Sequence, residues 1–258
     1  MSETRTKPVV IITGANNGIG LSITSSLLED QYCVAGLDLS VENLSIMQDR
    51  YPNRLRYYKC DVTDETRVNM VVASVIREWE RIDILVNNAC LAVFSTFEQK
   101  STGDIRKEFE VNVFGYLNMI KAVLPYMKMS GRGIIHNIGS GVGITGFPGL
   151  SGYASAKGAI EAMTRTLAFE FESYGISVNL VHPPLTNTKS AAPLGIPQQM
   201  LADPVDVGHK LARRIRSSRV IVTPDCKTSL GLFAIRHFTA AMGKLLVRMT
   251  ERAQVHEK

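Results

Sequence analysis

The chain has little cysteine and no sign of using it structurally. Cys33, Cys60, Cys90 and Cys226 are its only four, and they stand far apart. Neither metal-ligand spacing nor the dense pattern of a disulfide scaffold is present, so a reducing, intracellular compartment is expected and a zinc or disulfide-stapled module is not. No apolar run reaches the length of a transmembrane helix. The opening MSETRTKP is polar and runs directly into an apolar strand, without the apolar stretch of a signal peptide, so a cytoplasmic protein is expected. Internal repeats and low-complexity linkers are missing too, which leaves no seam for a second domain. The formal net charge of +5 is mild, and no aromatic-studded basic stripe accompanies it, so nucleic acid is not an expected partner. Basic residues gather only in the last third, at Arg213, Arg214, Arg216, Arg219, Arg236, Lys244, Arg248 and Arg252.

What is present is an ordinary globular composition, 45% apolar and 21% charged over 258 residues. Seven short β-rich runs, 9–13, 33–38, 56–59, 84–87, 133–140, 176–181 and 220–222, alternate with segments whose apolar residues recur at helical spacing. Phe109, Val113, Tyr116, Leu117 and Ile120 form one such pattern. Strict alternation with nearly continuous apolar strands predicts βαβ crossovers. The expected fold is a single α/β, doubly wound Rossmann-type domain with a seven-stranded, mainly parallel sheet. The expected boundaries are a tail at 1–7, the domain at 8–225, and a C-terminal amphipathic basic helix and tail at 226–258. Residues 185–204, rich in Pro and Ala with Leu194, Ile196, Met200 and Leu201, are expected to form a mobile lid. In such a sheet, ligands sit beyond the carboxyl ends of the strands.

The stretch Gly14, Ala15, Asn16, Asn17, Gly18, Ile19, Gly20 follows the first strand and opens the first helix. Glycines there allow a tight turn and let a pyrophosphate approach the helix N-terminus, where free N–H groups favour negative charge. A plain βα turn would show the same glycines. Asp38 ends the second strand, 24 residues after Gly14, where a carboxylate can accept from ribose hydroxyls and repel a 2′-phosphate. NAD is therefore favoured over NADP, against the competing reading of a solvated turn aspartate. Asp61 and Val62 after the third strand, and Asn88 after the fourth, fall at the same rim of the sheet. For Asp61, an adenine contact and helix capping are equally compatible with Thr63 and Asp64 nearby.

Ser140 ends the fifth run, and Tyr153 and Lys157 follow at i, i+4 on a helical segment. A phenol with pKa of about 10 is a poor base at neutral pH, and a neighbouring ammonium favours its phenolate. The help needed is about 3 pK units, or about 4 kcal/mol. Ser140 can donate a hydrogen bond to a substrate oxygen held near Tyr153. Taken alone, the pair is equally a lysine snorkelling over a tyrosine.

With the glycine turn, Asn87-Asn88-Ala89, Ser140, Tyr153 and Lys157 in this order, the sequence resembles the short-chain dehydrogenase/reductase family over about residues 8 to 224. The resemblance implies an oxidoreductase that exchanges a hydride between a nicotinamide cofactor and a secondary alcohol or ketone. Ser140, Tyr153 and Lys157 match its catalytic residues. Asn112 matches the asparagine that kinks its helix and holds a water behind the lysine, and Thr188 matches the threonine at the nicotinamide carboxamide. It also implies a homodimer or homotetramer, assembled through helices near 102–129 and 151–174. Three departures stand out: Cys90 where the family has glycine, Pro184 after Pro183, and Thr223-Pro224-Asp225 near the end. Cys90 is read as a pocket wall and His182 as structural.

The Pro183-Pro184-Leu185-Thr186-Asn187-Thr188 stretch and Thr223-Pro224 are similar to a branch that includes 3-ketodihydrosphingosine reductases. That branch implies a long-chain lipid ketone and NADPH, in conflict with Asp38. Leu230, Phe233, Phe238, Leu245, Leu246 and Met249 recur at helical spacing beside basic residues. A helix over 229–252 could lie on an anionic membrane, pack on its own domain or meet another subunit. Three functions stay open: a soluble NAD-dependent dehydrogenase of a fairly apolar molecule, given Val93, Phe94 and Phe147; a membrane-peripheral lipid-ketone reductase; and a dinucleotide-binding sensor without catalysis.

Overall fold

The computed structural model describes residues 7–194, 196 and 198–256. The rest of the expected N-terminal tail, lid positions 195 and 197, and the last two residues lie outside the described residues, as do the side chains of Met200 and of 250–256, Arg252 among them. In chain order the elements begin β1 Val9–Thr13, α1 Gly18–Glu29, β2 Cys33–Asp38, α2 Glu42–Arg50, β3 Leu55–Lys59, α3 Glu65–Trp79 and β4 Ile84–Asn87. They continue α4 Thr102–Phe109, a π-helical turn Glu110–Phe114, α5 Gly115–Ser130, β5 Gly133–Ile138, the short α6 Val142–Thr145, α7 Ser151–Glu172 and β6 Ile176–Val181. The chain ends with α8 Pro204–Ala212, β7 Ile221–Val222, α9 Cys226–His237 and α10 Thr239–His256.

All seven strands pair in parallel in the order β3-β2-β1-β4-β5-β6-β7. Successive strand residues point to opposite faces, so each strand feeds two cores. Val9 and Ile11 join the core built with α3, α5 and α7, while Val10 and Ile12 join the one built with α1, α2 and α8. This is the three-layer arrangement that continuous apolar strands require. Helix ends follow local chemistry: Asp64 caps α3 through Arg67 N, Asp203 caps α8 ahead of Pro204, and α5 stops at Gly131 with φ 63°.

The strand order reverses between β1 and β4, which opens a crevice at their carboxyl ends. β5 stops at Ile138, two residues short of the expected Ser140. The C-terminal segment is two helices rather than one. Phe238 leaves helical geometry at φ −124°, ψ 43°, and α9 and α10 meet at 116°. The break turns α10 back onto α6, where Gly243 faces the Thr145 carbonyl and Gly141 faces Ile235 of α9.

Candidate active site

Three glycines build the mouth of the crevice. Gly14 and Gly18 have φ of 63° and 54°, a region that costs side-chain-bearing residues energy. A Cβ on Gly14 would lie 2.9 Å from Ala89 Cα, and one on Gly20 would collide with the Gly14 carbonyl. α1 then begins at Gly18 with no side-chain cap from Asn17 and no acidic residue in its first turn. Its first N–H groups are left to an outside acceptor, which fits the pyrophosphate of a dinucleotide. Thr188 packs against this turn, its Cγ2 3.1 Å from where a Gly18 Cβ would stand.

Several predicted contacts are engaged by the protein instead. Asn16 is buried, its Oδ1 accepting from Asn43 N and Leu44 N at 2.9 and 3.1 Å, its Nδ2 donating to Ser40 Oγ and Glu42 Oε2 at 3.0 and 3.2 Å. Both ends of its carboxamide are engaged within the protein, where they tie the turn to α2. Asn88 Nδ2 donates to the carbonyls of Thr13 and Gly14, each at 3.0 Å, and holds the turn against β4. Asp61 Oδ1 accepts from Thr63 N and Oγ1 at 2.9 and 2.8 Å, closing a local turn, while Asp64 caps α3. Val62 is buried against Gly115, and its carbonyl accepts from Asn118. Asp38 stays at the rim, with Oδ2 accepting from Asn16 N at 2.9 Å and Oδ1 from Ser40 N at 3.3 Å. Glu42 adds a second carboxylate there, held below the usual carboxylate range by its own backbone N–H and by Ser40 and Asn16.

Across the crevice, Ser140, Tyr153 and Lys157 come together. The Ser140 hydroxyl lies near the Tyr153 phenol, where its interaction favours the phenolate. Lys157 is buried, and its Nζ donates to Ile138 O at 2.7 Å and to Tyr116 Oη at 3.1 Å while standing 5.6 Å from the centre of the Tyr153 ring. Burial pushes the Lys157 ammonium down to about 8 and pushes the Tyr153 phenol well above its ordinary value. Burial thus favours the neutral phenol and outweighs the interaction with Ser140, which favours the phenolate. Cys90, exposed at the end of β4, lies close enough to act on both groups electrostatically.

Asn112 is wholly buried in the π-helical turn, a geometry frequent at functional sites. It accepts from Leu91 N at 3.0 Å and donates to Leu91 O at 2.7 Å, so it grips the segment after β4. One turn earlier Glu108 does the same. Its Oε1 accepts from Val93 N at 2.9 Å, and its Oε2 pairs with Lys100 at 3.0 Å, both side chains having no solvent exposure. The carboxylate lies against Gly152, the neighbour of Tyr153, where no Cβ could fit. Sequence reasoning missed Tyr116, Glu108 and Lys100. Tyr116 stood inside a helical apolar pattern, and only its hydroxyl sets it apart. A buried pair eight residues apart in the chain carries no local signature.

His182 is buried and neutral, with burial lowering its pKa to about 4, and neither ring nitrogen has a hydrogen-bond partner. The 185–204 segment is pinned at its base by a bridge between Thr186 and Ala202. No cluster of metal-ligating side chains occurs among the described residues.

A profile of the short chain dehydrogenase family matches residues 8–198. The chain is 36% identical over 187 residues to the 2-(R)-hydroxypropyl-CoM dehydrogenase of Xanthobacter autotrophicus, covering 70% of this chain and 75% of that protein. It is 34% identical to the 3-ketodihydrosphingosine reductase of Bacteroides thetaiotaomicron, covering 70% and 64%. A short-chain dehydrogenase structure from Streptomyces avermitilis superposes with TM-score 0.78 at 26% identity, covering 97% of this chain and 98% of that one. NAD+-bound xylitol dehydrogenase superposes with TM-score 0.75 at 27% identity, covering 85% and 98%. With the crevice, the glycine turn and this likeness over most of its length, the chain belongs to the short-chain dehydrogenase family of oxidoreductases.

Proposed function

We propose that this enzyme is an NAD-dependent dehydrogenase or reductase of a secondary alcohol or ketone, with Tyr153 as its proton donor and acceptor. The observation that carries the reading is the buried Lys157, fixed between Ile138 O and Tyr116 Oη beside the Ser140–Tyr153 pair. A nicotinamide dinucleotide held in the crevice supplies the hydride chemistry. A ketone oxygen accepting from both Ser140 and Tyr153 is oriented and polarised. The neutral phenol gives its proton to that oxygen as negative charge develops, and the Lys157 ammonium stabilises the phenolate left behind. Oxidation of an alcohol runs the same transfer backwards. Gly18, Ile19 and Gly20 offer backbone N–H groups to the pyrophosphate, and Thr188 stands beside that turn. Asp38 and Glu42 support NAD over NADP, because two carboxylates at the ribose end of the crevice repel a 2′-phosphate. The half-buried apolar side chains Val93, Phe94 and Phe147 support an apolar substrate.

Tyr153→Phe should lower kcat by about 10²- to 10⁴-fold while leaving the NADH dissociation constant within about threefold of the parent. Substantial residual turnover sinks the assignment of the proton donor, and tighter binding of NADPH than NADH sinks the cofactor assignment.

A second reading, a membrane-peripheral reductase of a long-chain lipid ketone, is supported by the C-terminal pair. Among the described residues no single helix is long and apolar enough to cross a membrane, but α9 and α10 together pass that test as a bent pair. Their inner face packs on α6, next to Ser140, and Leu230, Phe238 and Leu245 are exposed. The likeness to a 3-ketodihydrosphingosine reductase adds weight. Co-sedimentation of the full chain with phosphatidylserine-containing vesicles should recover it with the lipid; a chain left in the supernatant refutes this reading. A homodimer or homotetramer through the helices of 102–129 and 151–174 fits the exposed Phe114, at the end of the π-helical turn before α5, and Phe169 on α7.

A further inference from the structure

Three of the basic residues of the last third, Arg214, Arg219 and Arg236, meet at the β7 edge of the sheet. β7 is the end strand of the sheet, and α9 follows it with Leu232 buried beneath. Between α9, β7 and the turn after α8 lies a cavity of ≈ 220 Å³. Arg214, Arg219, Arg236, Thr223 and Ser229 line its polar side, and Leu232 and Phe233 its apolar side.

The charge of this cavity is unbalanced. Arg236 pairs with Glu161 of α7 at 2.6 Å, but that same carboxylate oxygen also holds Arg165 at 2.9 Å. Arg214 and Arg219 form no ion pair among the described residues, and none of the lining residues is acidic. Asp225, at the start of α9, is already engaged by Thr228 and Lys210. Guanidinium forks match the oxygens of a phosphate or carboxylate, and the Thr223 and Ser229 hydroxyls add short-range donors.

Size and surroundings narrow the ligand further. The volume exceeds that of several waters, about 30 Å³ each, but falls below the ~300–1,000 Å³ of a complete small-molecule site. It suits a head group whose remainder lies outside. Phe233 lines the cavity yet is 55% exposed, and Leu230, one helical turn back on the same face, is 71% exposed. Ile221 on the edge strand is also exposed. An apolar strip therefore runs away from a cationic pocket.

We propose that this cavity binds an amphiphile with a phosphate head and an apolar tail, the head on Arg214, Arg219 and Arg236 and the tail along Leu230 and Phe233. The site is separate from the cofactor crevice at β1 and β4 and stands on its own lining, whichever ketone the enzyme reduces.

The test is calorimetric titration of the full chain, saturated with NADH so that the glycine turn is filled, with dihexanoyl phosphatidic acid, inorganic phosphate and dihexanoyl phosphatidylcholine. Phosphatidic acid should bind saturably with one molecule per chain, inorganic phosphate more weakly, and phosphatidylcholine not at all. Arg214→Ala/Arg219→Ala, both exposed positions, should weaken phosphatidic acid by at least about tenfold, with an unchanged melting curve showing that the variant folds. Leu230→Ser/Phe233→Ser should weaken phosphatidic acid and leave phosphate unaffected. No saturable binding, or binding that the arginine variant retains, overturns the site. Equal affinity for phosphate and phosphatidic acid overturns the amphiphile.

Discussion

Along the β1–α1 wall of the crevice, the side chains of Thr13, Asn16 and Asn88 bond to backbone groups, and the backbone of the turn is left to meet a ligand. Along the β5–α7 wall the roles are exchanged. There the Ile138 carbonyl and the Tyr116 hydroxyl hold the Lys157 side chain, and under the proposed function it is side chains that meet the substrate. The first wall gains rigidity from its polar groups and should show their loss as instability. The second buries an ammonium and a phenol that destabilise the fold, and should show their loss as lost turnover with gained stability.

The sharpest way to break that contrast is Lys157→Met. Burial lowers the folded-state pKa of Lys157 to about 8, below the ~10.4 of an unfolded lysine. Between those values the unfolded chain binds the extra proton, so stability rises with pH across that window. Below about pH 8 the folded state bears the whole cost of a buried charge, about 3 kcal/mol. Lys157→Met should therefore raise unfolding free energy by up to that amount at pH 7, with little gain above pH 10, and lower kcat by about 10²-fold or more. Urea melts at the two pH values read the first effect and steady-state assays the second. A less stable variant at pH 7 would make Lys157 a structural lysine.

Glu108→Met is the next largest. Lys100 would keep its charge in a site without solvent, at a cost of about 3–5 kcal/mol, and the 91–93 segment would lose one of its two anchors on the helix beside Tyr153. Thermal melts should fall accordingly, and KM should rise more than kcat falls. Lys100→Met/Glu108→Met should regain most of the stability, because two apolar side chains replace a buried pair. A double variant as unstable as the single one would assign the effect to the Val93 bond instead.

The two walls also differ in how much of them the sequence reveals. The sheet, its seven strands and the crevice follow from period and glycine placement, because parallel strands covered on both faces leave continuous apolar runs. Ser140, Tyr153 and Lys157 were legible as a group, since their spacing places them just beyond one strand and on one helix face. Asn16 and Asn88 sat in the right motif, but their side-chain partners were not legible: a carboxamide next to a phosphate-binding turn reads the same whether it faces the ligand or braces the loop. Only the positions of Asn43, Leu44 and the Thr13 carbonyl decide it, and those depend on packing between distant segments. Likewise, the break at Phe238 is invisible in an apolar pattern that continues unbroken through it. It comes from α10 finding a surface on α6.

The smallest expected effect separates brace from ligand. Asn88→Ala removes the donor shared by the Thr13 and Gly14 carbonyls, 3.0 Å from each. If the side chain braces the turn, the protein without cofactor loses about 1–3 kcal/mol, and NADH binds more weakly because the turn must be ordered on binding. Turnover at saturating NADH then stays close to the parent, since nothing on the β5–α7 wall has moved. If Asn88 contacts the cofactor directly, stability without cofactor is unchanged and only NADH affinity falls. Denaturant melts in the absence of NADH, paired with a fluorescence titration of NADH, distinguish these outcomes. A variant with unaltered melting and weakened binding would place Asn88 with Tyr153 and Lys157 among side chains that face the reaction, and would dissolve the contrast between the two walls.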